Sequence, residues 1–379
     1  MGGPRTKKQM KIELKKIKNV LLIKMLYIGD VLLTTPAIRA FKEALPHAAI
    51  SMAVYKDTAP VLEGNPHLTE ILTFDNSHKR LPLPERIRRE IAFVKEIRSR
   101  RFDLVVNLSN NDRGAILSFL SGAKYRIGQS RPKKSLIKNW NKLLFTHLYR
   151  IDNTHTHWAA RHLEPIRLLG FEPDPGRLEI FLKEGEIREG NQLLIRNGWD
   201  GKKRLVHIHP TARLKSKYWR PEDVAEVTDY LISDGYDVVL TSGPGRGEME
   251  ALGKTVHLLK HKAINLAGMT SLRELAVISR LSSLFIGADS APMHIASAAG
   301  TPVLALFGPM PVELWRPWGD GHTVLIKYMT CLPCGLDGCK NSGKSDCLDT
   351  LPPEAVIGKA KEMLGRHHRK DAPSVVCYV

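Results

Sequence analysis

A strand–helix rhythm runs through this chain twice. From residue 19 the apolar "NVLLIKML" is followed by "TTPAIRAFKEALP", whose apolar residues recur at helical spacing. "AAISMAVY", "EILTF", "FDLVVNL" and "KYRIG" read as further strands, with the amphipathic "PERIRREIAFVKEIRSR" and "RGAILSFLSGA" between some of them. The rhythm lapses across a basic stretch and "IDNTHTHWAARHLEPIRLLG", and "FEPDPGR" reads as a break. It restarts at residue 204 with "RLVHIHP", "PEDVAEVTDYLISDG", "YDVVLTSG" and "RGEMEALGKTVHLLK", and runs on through "AINLAG", "SLRELAVISR", "SLFIGAD", "APMHIASAAG" and "PVLALFG". Alternation of this kind predicts an α/β chain with parallel, doubly wound sheets covered by helices on both faces.

A chain of 379 residues is long enough for two such domains, each with its own core. We place the first at 1–172 and the second at 173–351, which includes a cysteine-rich loop at 331–347. Residues 352–379 are read as a closing helix, "PPEAVIGKAKEMLGR", and a tail. Open sheets bind ligands beyond the carboxyl ends of their strands, so two facing domains would form a cleft lined by strand-following loops.

The apolar runs are strand-sized and too short to span a bilayer. The basic N-terminus is followed by no signal-peptide core, so the expected location is the cytoplasm. The formal net charge of +18 asks for a partner. Residues 124–150 hold eight Lys or Arg and no acid. Nucleic acid, an anionic membrane surface and an anionic glycolipid all fit that charge. A nucleic-acid-binding protein is the reading from another class, but the chain shows no helix-turn-helix, finger or RNA-recognition motif, and its basic stretch has few aromatics. Cys331, Cys334, Cys339 and Cys347 begin like a metal site and end irregularly; reduced cysteines in a compact loop are the plainer reading.

Several strand-following loops carry residues suited to chemistry. In "GADSAPMHIASAAG", Asp289 or Ser290 can cap a helix that Pro292 begins and Gly300 ends. The same helix end can instead hold a phosphate on its free backbone N–H groups, with Asp289 turned to sugar hydroxyls. His294, one turn on, either faces the ligand or packs. In "HPTARLKSKYW", Lys217 is either an ordinary solvated lysine or a cation for a diphosphate. "TSGPGRGEMEAL" is not a Walker A loop; its Glu248 can accept from a ribose diol or simply favour the helix dipole. Asp30, after Gly29, is a helix cap or a general base. No DxD, HExxH or GxSxG pattern appears. Transfer from a nucleoside-diphosphate donor suits this set, the leaving diphosphate being met by fixed positive groups.

"LYIGDVLLTTPAIRAFKEALP", "HPTARLKSKYW", "TSGPGRGEMEAL", "AGMTSLRELA" and "GADSAPMHIASAAGTPVLALFGP" follow one another in the order typical of the heptosyltransferases of glycosyltransferase family nine, which the chain resembles over about residues 18–365. The ending "CLPCGLDGCKNSGKSDCL" is also similar to that family's. The resemblance implies a GT-B fold of two Rossmann-like domains facing across a cleft. It implies an inverting transfer of heptose from ADP-heptose to the lipopolysaccharide inner core, with no metal and no cofactor beyond the donor substrate. By motif, Asp30 matches the catalytic base, Lys217 the diphosphate-binding lysine, and Glu248 the ribose-binding acid. Met269 lies near the adenine position. Asp289 matches the heptose-holding acid, Ser290 and Ala291 the phosphate donors, and His294 the histidine of that motif. The chain departs from the family in having Ala291 where Gly is usual, and "MLYI" where small hydroxyl residues precede the Gly-Asp pair. The implied acceptor is Kdo-lipid A or a partly built core at the inner face of the inner membrane, and Arg126, Arg131, Lys133 and Lys134 are the candidates for recognising it. A glycosyltransferase with another nucleotide-sugar donor, or a sugar-nucleotide epimerase, would use the same architecture.

Overall fold

The computed structural model describes residues 11–77, 81–130, 143–151, 156–365 and 373–379. They form two compact units, Met1–Pro175 and Gly176–Val379.

The first unit carries six strands: β1 (Asn19–Ile23), β2 (Ala49–Tyr55), β3 (Glu70–Phe74), β4 (Leu104–Asn107), β5 (Tyr125–Gln129) and β6 (His147–Tyr149). Their spatial order is β3-β2-β1-β4-β5-β6, every pairing parallel. Leu22 of β1 lies opposite Met52 on one side and Val106 on the other. The chain therefore winds outward from β1 in one direction, returns, and winds outward from β4 in the other. The crevice between the β1 and β4 ends is the switch point where ligands of such sheets sit.

The second unit repeats that plan with β7 (Leu205–His209), β8 (Asp237–Ser242), β9 (Ile264–Ala267), β10 (Leu284–Ala288), β11 (Val303–Phe307), β12 (Thr323–Ile326) and β13 (Val375–Tyr378). The order is β13-β12-β11-β10-β7-β8-β9, again parallel throughout, with the switch point between β7 and β10. Why the strands read as unbroken apolar runs is visible in their alternation. Val206, Ile208, Leu284, Ile286, Leu304 and Leu306 pack on one face, beneath the helices Pro221–Ser233 and Pro353–Gly365. Leu205 and Val239 face the other side, in a core with Leu194 and Ile278; Phe285, Val303, Ala305 and Phe307 lie in a neighbouring cluster with Met293. A strand covered on both faces has no polar side to show.

Two sequence expectations change here. The closing helix is present, but the tail's last residues form β13, which pairs with β12 and places Val376 beside Val324. The lapse after residue 128 hides β6, only three residues long. Among the described residues no helix is long and apolar enough to cross a membrane.

Candidate active site

The second unit brings its motif residues to one sheet end. β10 runs beside β7 with Gly287 opposite His209. A Cβ on Gly287 would lie 2.6 Å from the His209 carbonyl oxygen, so the close approach of the two strands requires glycine there. Lys217 follows β7 in a short turn, Lys215–Lys217, and Asp289 follows β10 directly. Their side chains meet, Lys217 Nζ donating to Asp289 Oδ2 at 2.6 Å, with exposures of only 17% and 7%. The lysine is thus no solvated surface group.

Next to this pair begins the helix Ala291–Ala298, with Ser290 in the extended cap position and Pro292 in the first turn. The sequence permits a side-chain cap by Asp289 or Ser290, but neither supplies one. Ser290 Oγ donates back to the Ala288 carbonyl at 3.2 Å, and Asp289 is held by Lys217. A helix start without a side-chain cap leaves backbone N–H groups and the positive dipole end for another acceptor, and a phosphate fits. His294 is buried on the same helix.

Glu248 stands in the first turn of the helix Arg246–Leu258 after β8. Its Oε2 accepts from Thr211 Oγ1 at 2.9 Å and from the Gly243 N–H at 3.2 Å. A Cβ on Gly243 would come within 2.6 Å of Oε1, so any larger residue there would push the carboxylate from this position. Tyr218 lies beside it; burial first, then the Glu248 charge, pushes the phenol up to about 12. Met269 follows β9, the next strand outward, and is well exposed. Thr211 and Tyr218 were not legible as site residues; both lie in the Lys217 loop, which was the available signal.

In the first unit Asp30 is the third residue of the helix Ile28–Leu32, and is therefore not its cap. Facing it is Lys24, 1% exposed, at the end of β1: Nζ lies 3.6 Å from Asp30 Oδ1. The ammonium also donates to the Leu108 carbonyl at 3.2 Å and meets His162 Nε2 at 3.0 Å. His162 Nδ1 lies 3.0 Å from the Leu33 carbonyl, which can only accept. Hence Nδ1 carries the proton and Nε2 accepts from Lys24. Burial, followed by the Lys24 charge, holds His162 well below its usual range, in keeping with a neutral ring. Burial likewise lowers Lys24, with the Asp30 charge opposing it. Met25 N–H donates to Ser109 Oγ at 2.8 Å, which ties the β1 end to the β4 end at the switch point. Asp30 thus stands on a fixed floor. Lys24 and His162 were missed by sequence reasoning, although a lysine within the apolar run "NVLLIKML" is itself a signal.

Lys24→Met keeps the length and removes the donor, leaving the Leu108 carbonyl and His162 Nε2 unpaired. The expected loss is about 1–3 kcal/mol of stability. Urea unfolding measures it, and a variant as stable as wild type would refute the arrangement.

The pattern described as Glycosyltransferase family 9 (heptosyltransferase) matches residues 90–344, well over half of the sequence. The chain belongs to glycosyltransferase family 9. Lipopolysaccharide heptosyltransferase 3 of Escherichia coli K12 is 33% identical to it over 360 residues, 92% of this chain and 98% of that protein. A family 9 glycosyl transferase from Veillonella parvula matches with a TM-score of 0.79 at 24% identity, covering 92% of this chain and 97% of that one. The E. coli ADP-heptose lps heptosyltransferase II matches with a TM-score of 0.73 at 20% identity, over 91% and 98%. The fold is GT-B, built from two Rossmann-like domains.

The remaining candidates of this family 9 enzyme are distributed differently from the site residues. Arg126 is half-buried, its Nε donating to the Leu144 carbonyl at 2.8 Å and Nη1 to the Ala123 carbonyl at 2.6 Å, a structural employment the sequence did not suggest. Arg131, Lys133 and Lys134 lie outside the described residues. Cys331 and Cys334 are exposed, Cys339 is half-buried and Cys347 buried. Burial pushes the Cys347 thiol up to about 11. Among the described residues no three His, Cys, Asp or Glu are grouped to hold a metal ion.

Proposed function

We propose that this family 9 enzyme transfers heptose, with inversion and without a metal, from ADP-heptose to the inner core of lipopolysaccharide. The observation that carries this reading is the Lys217–Asp289 pair at a helix start with no side-chain cap, at the second unit's switch point. The similarity to a lipopolysaccharide heptosyltransferase and to an ADP-heptose lps heptosyltransferase supports the donor and acceptor.

In this reading Glu248 receives the ribose hydroxyls and Met269 lies against the adenine. The diphosphate rests on the N–H groups at Ser290 and Ala291 with Lys217 beside it, while Asp289 faces heptose hydroxyls. Asp30 takes the proton of the acceptor hydroxyl as its oxygen attacks the anomeric carbon. The bond from that carbon to the phosphate oxygen breaks, inverting the centre, and ADP departs with the electron pair. Its growing negative charge meets Lys217 and the helix end, groups already in place before the reaction. The enzyme works in the cytoplasm at the inner face of the inner membrane, where its acceptor, Kdo-lipid A or a partly built core, presents phosphates and carboxylates to a chain of net charge +18.

The test is transfer from ADP-heptose to Kdo-lipid A and to heptosylated cores, with and without EDTA. EDTA-resistant transfer to one of these acceptors is expected. Failure to bind ADP-heptose, with binding of a different nucleotide sugar, would replace the donor; activity lost to EDTA and restored by a divalent ion would replace the metal-free mechanism.

A further inference from the structure

The helix Leu83–Ser99 is apolar on two opposite faces, which one packed helix does not need. Phe93 and Ile97 point into the first unit's core. On the other side Pro84, Ile87, Arg88, Ile91, Ala92 and Lys95 line a shallow groove, at the i, i+3, i+4, i+7 spacing of a single helical stripe. Ile87 and Ile91 remain 49% and 50% exposed there, and Leu83 at the helix start 63%. Each acid of the helix is paired with arginine. Glu90 receives both Arg113 terminal nitrogens, at 2.7 and 2.9 Å, Glu96 pairs with Arg100, and Glu85 at the helix start is shared by the stripe's Arg88 and by Arg89, two cations to one acid. The stripe itself therefore combines branched aliphatic side chains with Lys95 and with Arg88, whose charge Glu85 offsets only in part.

The geometry points to this stripe as the surface that docks the enzyme on an anionic phospholipid bilayer. An interfacial helix presents this combination: aliphatic side chains to enter the headgroup boundary and cations to meet lipid phosphates. Charge selects the bilayer over a second copy of the chain. Two such stripes face to face would set Arg88 and Lys95 among their own equivalents, on molecules that each carry +18. The inference rests on the proposed reading only in that a membrane glycolipid acceptor gives the docking a purpose.

The experiment is sedimentation of the full chain with sucrose-loaded vesicles, phosphatidylethanolamine with phosphatidylglycerol against phosphatidylcholine alone. Wild type should pellet with the anionic vesicles, less so as salt rises, and stay in solution with phosphatidylcholine. Ile87→Glu/Ile91→Glu and Arg88→Glu/Lys95→Glu should each weaken partition about tenfold or more, with thermal melting unchanged because the stripe faces away from the core. Binding of both variants at the wild-type level would overturn the proposal. So would absence of vesicle binding, or a concentration-dependent dimer in sedimentation velocity that the isoleucine variant abolishes. Since no sugar transfer is read, a wrong donor or acceptor leaves the vesicle result standing, and a wrong docking face leaves transfer to a detergent-dispersed acceptor intact.

Discussion

Asp30→Asn is expected to abolish most sugar transfer while leaving the donor bound as before. The substitution keeps the side chain's size, and its amide oxygen can still face the Lys24 ammonium, which lies 3.6 Å from Oδ1 in the wild type. What it removes is the ability to take a proton. A positioned general base contributes typically 10²–10⁴-fold, so kcat should fall by about 10³-fold with little change in the KM for ADP-heptose. On the proposed reading donor affinity is insulated, because the donor-binding candidates Lys217, Glu248 and Asp289 belong to the other unit. Steady-state kinetics with calorimetric titration of ADP separates the two quantities. A kcat above a tenth of wild type would remove Asp30 from the role of base, and a parallel loss of ADP affinity would make it a structural residue instead.

The floor beneath Asp30 also shows where sequence reading stops. Both sheets are legible because a strand covered on two faces is largely apolar: β10 and β11 are so throughout, and β1, β4 and β7 depart only at Asn19, Asn107, His207 and His209. Asp30, Lys217, Glu248 and Asp289 are legible as candidates because each lies in the segment after a parallel strand, where an α/β sheet opens to ligands. β6 was not, since three residues within a basic stretch carry no periodicity, and β13 escaped because nothing local distinguishes an edge strand from a tail. The Lys24–His162 contact spans 138 positions and is made only by the winding of the chain. The choice between a capped helix and an open one was equally out of reach at Asp289 and Ser290. Both residue types cap well, and only the direction of Ser290 Oγ, toward Ala288, shows that neither does. Local chemistry sets which residues are available; the competition for each hydrogen bond is settled by neighbours brought from far away.

Lys217→Met should damage the enzyme in two ways that a second substitution can separate. Asp289 is 7% exposed and Lys217 Nζ is the cation bonded to it, at 2.6 Å. Removing one partner of a buried pair leaves a desolvated charge, which costs about 3–5 kcal/mol when burial is complete and somewhat less here, where the lysine retains 17% exposure. The folded state should weaken by about 2–3 kcal/mol on that account. Lys217→Met/Asp289→Asn removes both charges together, and most of that stability should return. Catalysis should not return with it. If Lys217 meets the diphosphate as proposed, the leaving group still lacks its fixed cation, and loss of one preorganised electrostatic group costs about 10²–10³ in kcat. The double variant, which on the same reading also lacks the carboxylate turned to the sugar, should be at least as slow as the single. Unfolding free energies and kcat measured on wild type, both single variants and the double complete the cycle. Recovery of stability without activity would mark Lys217 as a group that acts on the leaving diphosphate. Recovery of both would reduce the pair to a structural ion pair, and the helix start at Ser290 would then have to meet the diphosphate's charge with its backbone alone.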